Sequence, residues 1–195
     1  ANLNAMESYA REDPDRAEAM WARVESADLE ELTARERFFV ERARARHEKR
    51  YEDVEPLLEE YLQKLPNDPY ILHQKALLTW ARGDLDEAER LNLRLVEMNP
   101  NWVIAYNQLG YINMMKGHFA EAEEYFKSYR FIAPDQANPY DSLGELFIIM
   151  GRYDEARETL NQAIEIKRDF WAAYDHLATM FAVSGDLEAT REVAE

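Results

Sequence analysis

Four of the six glycines in this chain fall at Gly83, Gly117, Gly151 and Gly185, each 34 residues after the last. Three prolines, Pro66, Pro100 and Pro134, keep the same step. A fixed period of this length marks a repeat architecture, in which one supersecondary unit recurs along the chain. No segment between these positions reads as a strand. Each glycine opens a similar stretch: Gly83-Asp-Leu-Asp-Glu-Ala88, Gly117-His-Phe-Ala-Glu-Ala122, Gly151-Arg-Tyr-Asp-Glu-Ala156 and Gly185-Asp-Leu-Glu-Ala-Thr190. Glycine supplies the positive φ that ends one helix. An Asp or nearby acid is expected to cap the next and to suit its positive end. A small Ala then marks where two helices approach closely. The proline closes the unit, because it cannot continue a helix interior. One helix of about 14 residues is therefore predicted before each glycine and another after it.

These residues resemble the tetratricopeptide repeat, a helix-turn-helix unit of 34 residues. The clearest match is Tyr106-x2-Leu109-Gly110, Gly117, Ala122-x3-Phe126 and Pro134. The next unit reads Tyr140-x2-Leu143-Gly144-x2-Phe147, Gly151 and Ala156-x3-Leu160, with Arg168 in place of the closing proline. A further unit begins Tyr174-x2-Leu177-Ala178-x2-Phe181 and reaches Gly185. An earlier, looser one keeps Leu72, Ala76, Gly83, Ala88 and Pro100, and departs from the pattern at Lys75 and Thr79. One step further back, Phe38, Tyr51, Leu58 and Pro66 hold the register, while Lys49 stands where the glycine belongs. The stretches Leu32-Thr-Ala-Arg-Glu-Arg-Phe38 and Ala137-Asn-Pro-Tyr140-Asp-Ser-Leu-Gly144-Glu145 look like bacterial repeat regions, which are often attached to signalling or transcription-factor domains.

The resemblance implies an all-α fold, a right-handed α-solenoid of eleven or twelve stacked helices. The expected division is 1–34, a helical capping or degenerate segment; 35–68, a degenerate repeat; 69–102, 103–136 and 137–170, full repeats; and 171–195, a partial repeat. Within the first segment, Asp13-Pro14-Asp15 starts a helix through Ser26, Leu32-Thr33 opens the next, and Leu3 to Arg11 reads as the tail of an earlier one. The unfinished last repeat leaves two readings open: sequence that continues beyond Glu195, or an end that packs on a second copy.

In this family the first helices of stacked repeats line a concave surface that binds extended peptides. The repeat signature itself, with Tyr106, Tyr140, Tyr174 and their Leu and Gly partners, is the core stripe. The groove is expected on the face offset by one residue. That face reads Tyr70, His73, Leu77 and Trp80; then Ile104, Asn107, Tyr111 and Met114; then Asn138, Asp141, Glu145 and Ile148; then Ala172, Asp175 and Thr179. Its first half is aromatic and apolar, with Tyr70, Trp80, Tyr111 and Met114 offering adaptable contact. Its second half carries Asp141, Glu145 and Asp175, so the expected partner presents apolar anchors followed by Lys, Arg or a free amine. Ser142 and His176 lie beside it. The cations with which some members clamp a partner's carboxylate terminus are absent from this face, which disfavours acidic chaperone tails.

Charge points the same way. The chain has 39 Asp and Glu against 23 Lys and Arg, a formal net charge of −16. Binding nucleic acid by phosphate neutralisation relies on Lys and Arg, and anionic membranes attract the same residues. The one basic stretch, Arg35 to Arg50, is answered by Glu52, Asp53, Glu55, Glu59 and Glu60, and reads as an intramolecular helix pair with surface ion pairs. No cysteine is present. His47, His73, His118 and His176 show no zinc spacing, and no phosphate loop or nucleophile elbow occurs. The expected function is a non-enzymatic protein–protein interaction scaffold without cofactor or metal, and the alternative is an assembly protein that self-associates through its repeat ends. No apolar run is long enough to span a membrane. A cytoplasmic location is favoured; a secreted or periplasmic one stays open, because the sequence starts without Met.

Overall fold

The computed structural model describes residues 13–186, which hold ten α-helices, one 3-10 turn and no strand. The fold is all-α, of the α-solenoid class, with helix-turn-helix units following one another along the chain. The expected helix over Leu3 to Arg11 and the second helix of the last repeat lie outside the described residues. By contact the chain divides into two compact units, Ala1–Ala81 and Arg82–Glu195. The boundary falls between the two helices of the 69–102 repeat.

The first unit contains α1 (Pro14–Glu25), α2 (Ala34–His47), a 3-10 turn at Tyr51–Asp53, α3 (Val54–Lys64) and α4 (Pro69–Ala81). Both early starts follow from their caps. The Asp13 carboxylate accepts from the Arg16 amide at 3.1 Å. Thr33 and Glu36 form a reciprocal capping box, each side chain accepting from the other's backbone N–H. These bonds to Thr33 hold the Glu36 carboxyl below its ordinary pKa. Successive helices pack in pairs, and Phe38, Leu58, Tyr61 and Ile71 form the core.

The basic stretch is largely consumed inside this unit. Arg44 donates to the carbonyls of Val24, Glu25 and Ala27, which satisfies the open end of α1. Arg35 pairs with Asp68 at 3.2 Å, and Arg50 pairs with Glu48 and Asp53. Of the acids expected to answer it, Asp53 does so, while Glu59 pairs with Lys75 and Glu60 with Lys64.

The second unit contains α5 (Leu85–Met98), α6 (Val103–Met115), α7 (Phe119–Ile132), α8 (Asn138–Ile149), α9 (Tyr153–Ile166) and α10 (Trp171–Ser184). The turns work as the period requires. Gly117 and Gly151 adopt φ +77 and +71. The amide after each reaches back to the last turn of the helix, His118 N–H to Asn113 O and Arg152 N–H to Phe147 O, both at 2.8 Å. This closure leaves fewer orphan carbonyls at the helix end. Lys49 keeps the same geometry at φ +59, with Arg50 N–H on Ala45 O at 2.8 Å, so the degenerate repeat retains the turn without its glycine.

One expectation is corrected here. Among the described helices that follow a period glycine, an acid caps only the one after Gly83, where Asp84 accepts from the Glu87 amide at 3.2 Å; the helix expected after Gly185 lies outside the described residues. His118 and Arg152 occupy the equivalent positions and make no side-chain cap. The acids further into those helices remain near their positive ends.

Packing within the 103–136 and 137–170 repeats depends on a missing side chain. Gly110 in α6 lies against the Phe126 ring of α7, and Gly144 in α8 lies against Leu160 of α9. Both partners are fully buried. The core continues through Ala122, Leu143, Leu146, Phe147, Ala156, Ala163, Leu177 and Met180. Two of the three signature tyrosines, both half-buried, act as ties. Tyr140 donates to the Pro134 carbonyl and Tyr174 to the Arg168 carbonyl, each at 3.1 Å. The position needs only a carbonyl, so Arg168 replaces the proline without losing the bond.

Candidate functional site

The expected groove residues all fall on first helices, and they divide between the two units. On α4 of the first unit, Tyr70 is exposed, with the Arg35 guanidinium 4.1 Å over its ring. His73 is half-buried, and burial pulls its pKa down. Leu77 borders a cleft of about 240 Å³ that Arg42, Arg46, Val54, Leu58, Gln74 and Leu78 also line. Trp80 is half-buried.

On the second unit the side chains of α6, α8 and α10 join into one polar network. Ser142 donates to Asn107 Oδ1 at 3.1 Å. The Tyr111 hydroxyl donates to Glu145 Oε2 at 2.8 Å, with Ser142 Oγ 3.3 Å from the phenol oxygen. His176 Nδ1 meets Asp141 Oδ1 at 2.8 Å, and its Nε2 stands 3.8 Å from Glu145 Oε2. Three successive first helices are thereby tied together, α6 to α8 and α8 to α10.

The spacing of these partners is informative. Asn107 and Ser142 are 35 residues apart, as are Asp141 and His176, while Tyr111 and Glu145 are 34 apart. Residues one repeat apart, or one repeat plus one, face each other across neighbouring first helices. The sequence contained that signal, but it becomes visible only when positions are paired at these two offsets. Ser142 and His176 therefore belong to the network itself.

The remaining groove residues fall into two groups. Met114 and Ile148 are half-buried against the core, and Asn138 donates to the Tyr129 hydroxyl at 3.2 Å. Asp175 and Thr179 are exposed, as is Ile104. Asp141 differs from its expected place on an open acidic surface. It is 4% exposed and its carboxylate is held by His176. The acids that solvent reaches are Glu145, 28% exposed at its side chain, and Asp175.

The electrostatics follow from these contacts. The bond to Asp141 raises the His176 pKa above its ordinary 6.5, against the opposing effect of burial. Burial first, and the Glu145 charge after it, push the Tyr111 phenol up. Ser142 is fully buried and faces Asn107 and Tyr111 rather than His176, so these residues do not form a nucleophile–base pair. Among the described residues no three His, Asp or Glu side chains are placed to hold a metal ion.

Two family models, both of the tetratricopeptide repeat, match the chain over residues 73–137 and 113–180. The chain belongs to the tetratricopeptide-repeat family. No curated protein matches it significantly. Solved tetratricopeptide-like structures share its fold at low identity. MamA 41-end from Desulfovibrio magneticus RS-1 is 18% identical with a TM-score of 0.69, over 83% of this chain and 92% of that one. TTC0263, a thermophilic tetratricopeptide-repeat protein of Thermus thermophilus, is 21% identical with a TM-score of 0.64, over 78% and 84%. A tetratricopeptide-repeat protein from Parabacteroides merdae ATCC 43184 is 16% identical with a TM-score of 0.71, over 98% and 69%. The tetratricopeptide fold is generally a non-enzymatic scaffold for protein–protein interaction. Among the described residues no helix is long and apolar enough to cross a membrane.

Proposed function

We propose that the first-helix face of the second unit holds an extended segment of a partner protein, with an apolar anchor beside Ile104 and a basic group near Glu145 and Asp175. The observation that carries this reading is the combination of exposed apolar and exposed acidic side chains on one row of helices that hydrogen bonds tie together. A rigid row costs little ordering on binding, so its contacts convert more fully into affinity. The network takes up Asp141 and leaves the Glu145 edge reachable. The −16 charge adds long-range attraction for a basic segment, and this weakens with salt.

Calorimetry with capped peptides tests the proposal. Peptides of alternating Leu and Lys bind, and the same peptides with Glu for Lys do not. Glu145→Ala and Asp175→Ala each weaken binding by about 2- to 5-fold, the range of a solvent-exposed ion pair. Unchanged affinity in both variants removes the acidic half of the proposal. Light scattering decides the alternative: mass that grows with concentration, without peptide affinity, assigns the chain to self-assembly.

A further inference from the structure

We infer that Glu145 and His176 form a proton-exchanging seat for one cationic side chain of the partner, in which an ammonium or guanidinium docks on the Glu145 carboxylate as His176 releases the proton on Nε2. The inference rests on reading this face as the partner's groove, and it names the ligand chemistry and its coupling to pH.

The geometry fixes each atom's role. Asp141 is buried and holds Nδ1 at 2.8 Å, so Nδ1 keeps its proton in both charge states and Nε2 is the site that titrates. Nε2 faces Glu145 Oε2 at 3.8 Å, within ion-pair range and beyond a hydrogen bond. The same oxygen accepts from the Tyr111 hydroxyl at 2.8 Å, which restrains the carboxylate from turning away. Both Glu145 and His176 are about a quarter exposed, so a side chain from solvent can reach them.

Two states follow. An imidazolium bridges Asp141 and Glu145 and offsets one of their two negative charges. A neutral imidazole leaves Glu145 as an uncompensated carboxylate beside an acceptor nitrogen, and that pair suits an ammonium or guanidinium donor. The incoming cation repels a proton on Nε2, so binding and protonation oppose each other reciprocally. The proton passes to solvent and no covalent bond changes. Among the described residues, the charged groups acting on His176 are Asp141 and Glu145 from α8 and Asp175 from α10 itself. The α9 helix brings uncharged Leu160, Ala163 and Ile164 to the core it shares with α10.

The test uses the full chain and n-butylammonium chloride, with sodium chloride at the same ionic strength as control. The His176 ring protons are titrated by NMR in each salt. The expected result is a midpoint lower by about half a pH unit or more in butylammonium. Glu145→Gln should abolish that difference while leaving His176 titrating above its ordinary value through Asp141. Calorimetry of the Leu–Lys peptide in buffers of different ionisation enthalpy should show proton release in the wild type and none in His176→Gln. Equal midpoints in the two salts, or a difference that survives Glu145→Gln, overturn the seat. If butylammonium moves the midpoint and no peptide binds, the seat stands and the groove reading fails. If peptides bind without proton release and the midpoints coincide, the groove stands and the seat fails.

Discussion

Replacing Gly110 by alanine probes how a repeat closes on itself. A Cβ on Gly110 would stand 2.3 Å from Cε1 of Phe126, 2.6 Å from Cδ1 and 2.7 Å from Cζ. Ordinary carbon contact begins at about 3.5 Å, so ring and helix must part by about 1.2 Å. The ring has little room to turn. Phe126 is fully buried and meets Tyr111 edge-on, with centroids 5.1 Å apart. A large buried side chain makes about 40–60 contacts of ~0.1–0.2 kcal/mol each, and a gap of 0.5–1 Å loses about a quarter to a half of that. The loss is therefore a few kcal/mol, while alanine returns about 1 kcal/mol of helix propensity. Overpacking of this kind has a net cost of about 1–3 kcal/mol, and we expect about 2 kcal/mol here. Denaturant unfolding followed by circular dichroism should show a lower midpoint at unchanged slope. Adding Phe126→Leu should recover part of the loss, with a coupling of about 1 kcal/mol because the two sites touch. A neutral or stabilised Gly110→Ala, additive with Phe126→Leu, would refute the packing argument.

Two further outcomes follow from backbone and charge. Lys49 holds φ +59 at an exposed turn, so Lys49→Gly should raise stability by about 0.5–1 kcal/mol; an equal or lower unfolding midpoint would show that the turn is not strained. The raised pKa of His176 means that its contribution is complete below the ordinary value of 6.5 and fades as pH rises through the higher folded value. His176→Gln should therefore destabilise the chain more at about pH 5.5 than at about pH 9, and a penalty equal at both would detach the Asp141 pair from stability.

Much of the fold was legible because it is local. Asp13 and Thr33 start α1 and α2 where the sequence places them, through side-chain bonds spanning three residues. The glycine turns end helices where the period requires. The acid caps after Gly117 and Gly151 did not follow, because His118 and Arg152 stand at those positions and the turn is closed by backbone bonds instead. The groove was legible as a list of positions on first helices but not as a set of roles. Asp141 and Glu145 are neighbours on one helix face with the same charge. One is buried and held by His176 Nδ1; the other, beside His176 Nε2 and the Tyr111 hydroxyl, still reaches solvent, and that difference appears only once α6, α8 and α10 are side by side.

The sequence alone therefore determined the repeat, its period, its helices and its family, since those rest on backbone preferences and a core stripe read within one unit. The tertiary structure decided which polar side chains are consumed by neighbours and which remain for a partner. The reason is physical: a carboxylate's availability depends on groups a full repeat away, brought within 3–4 Å only when successive first helices stack.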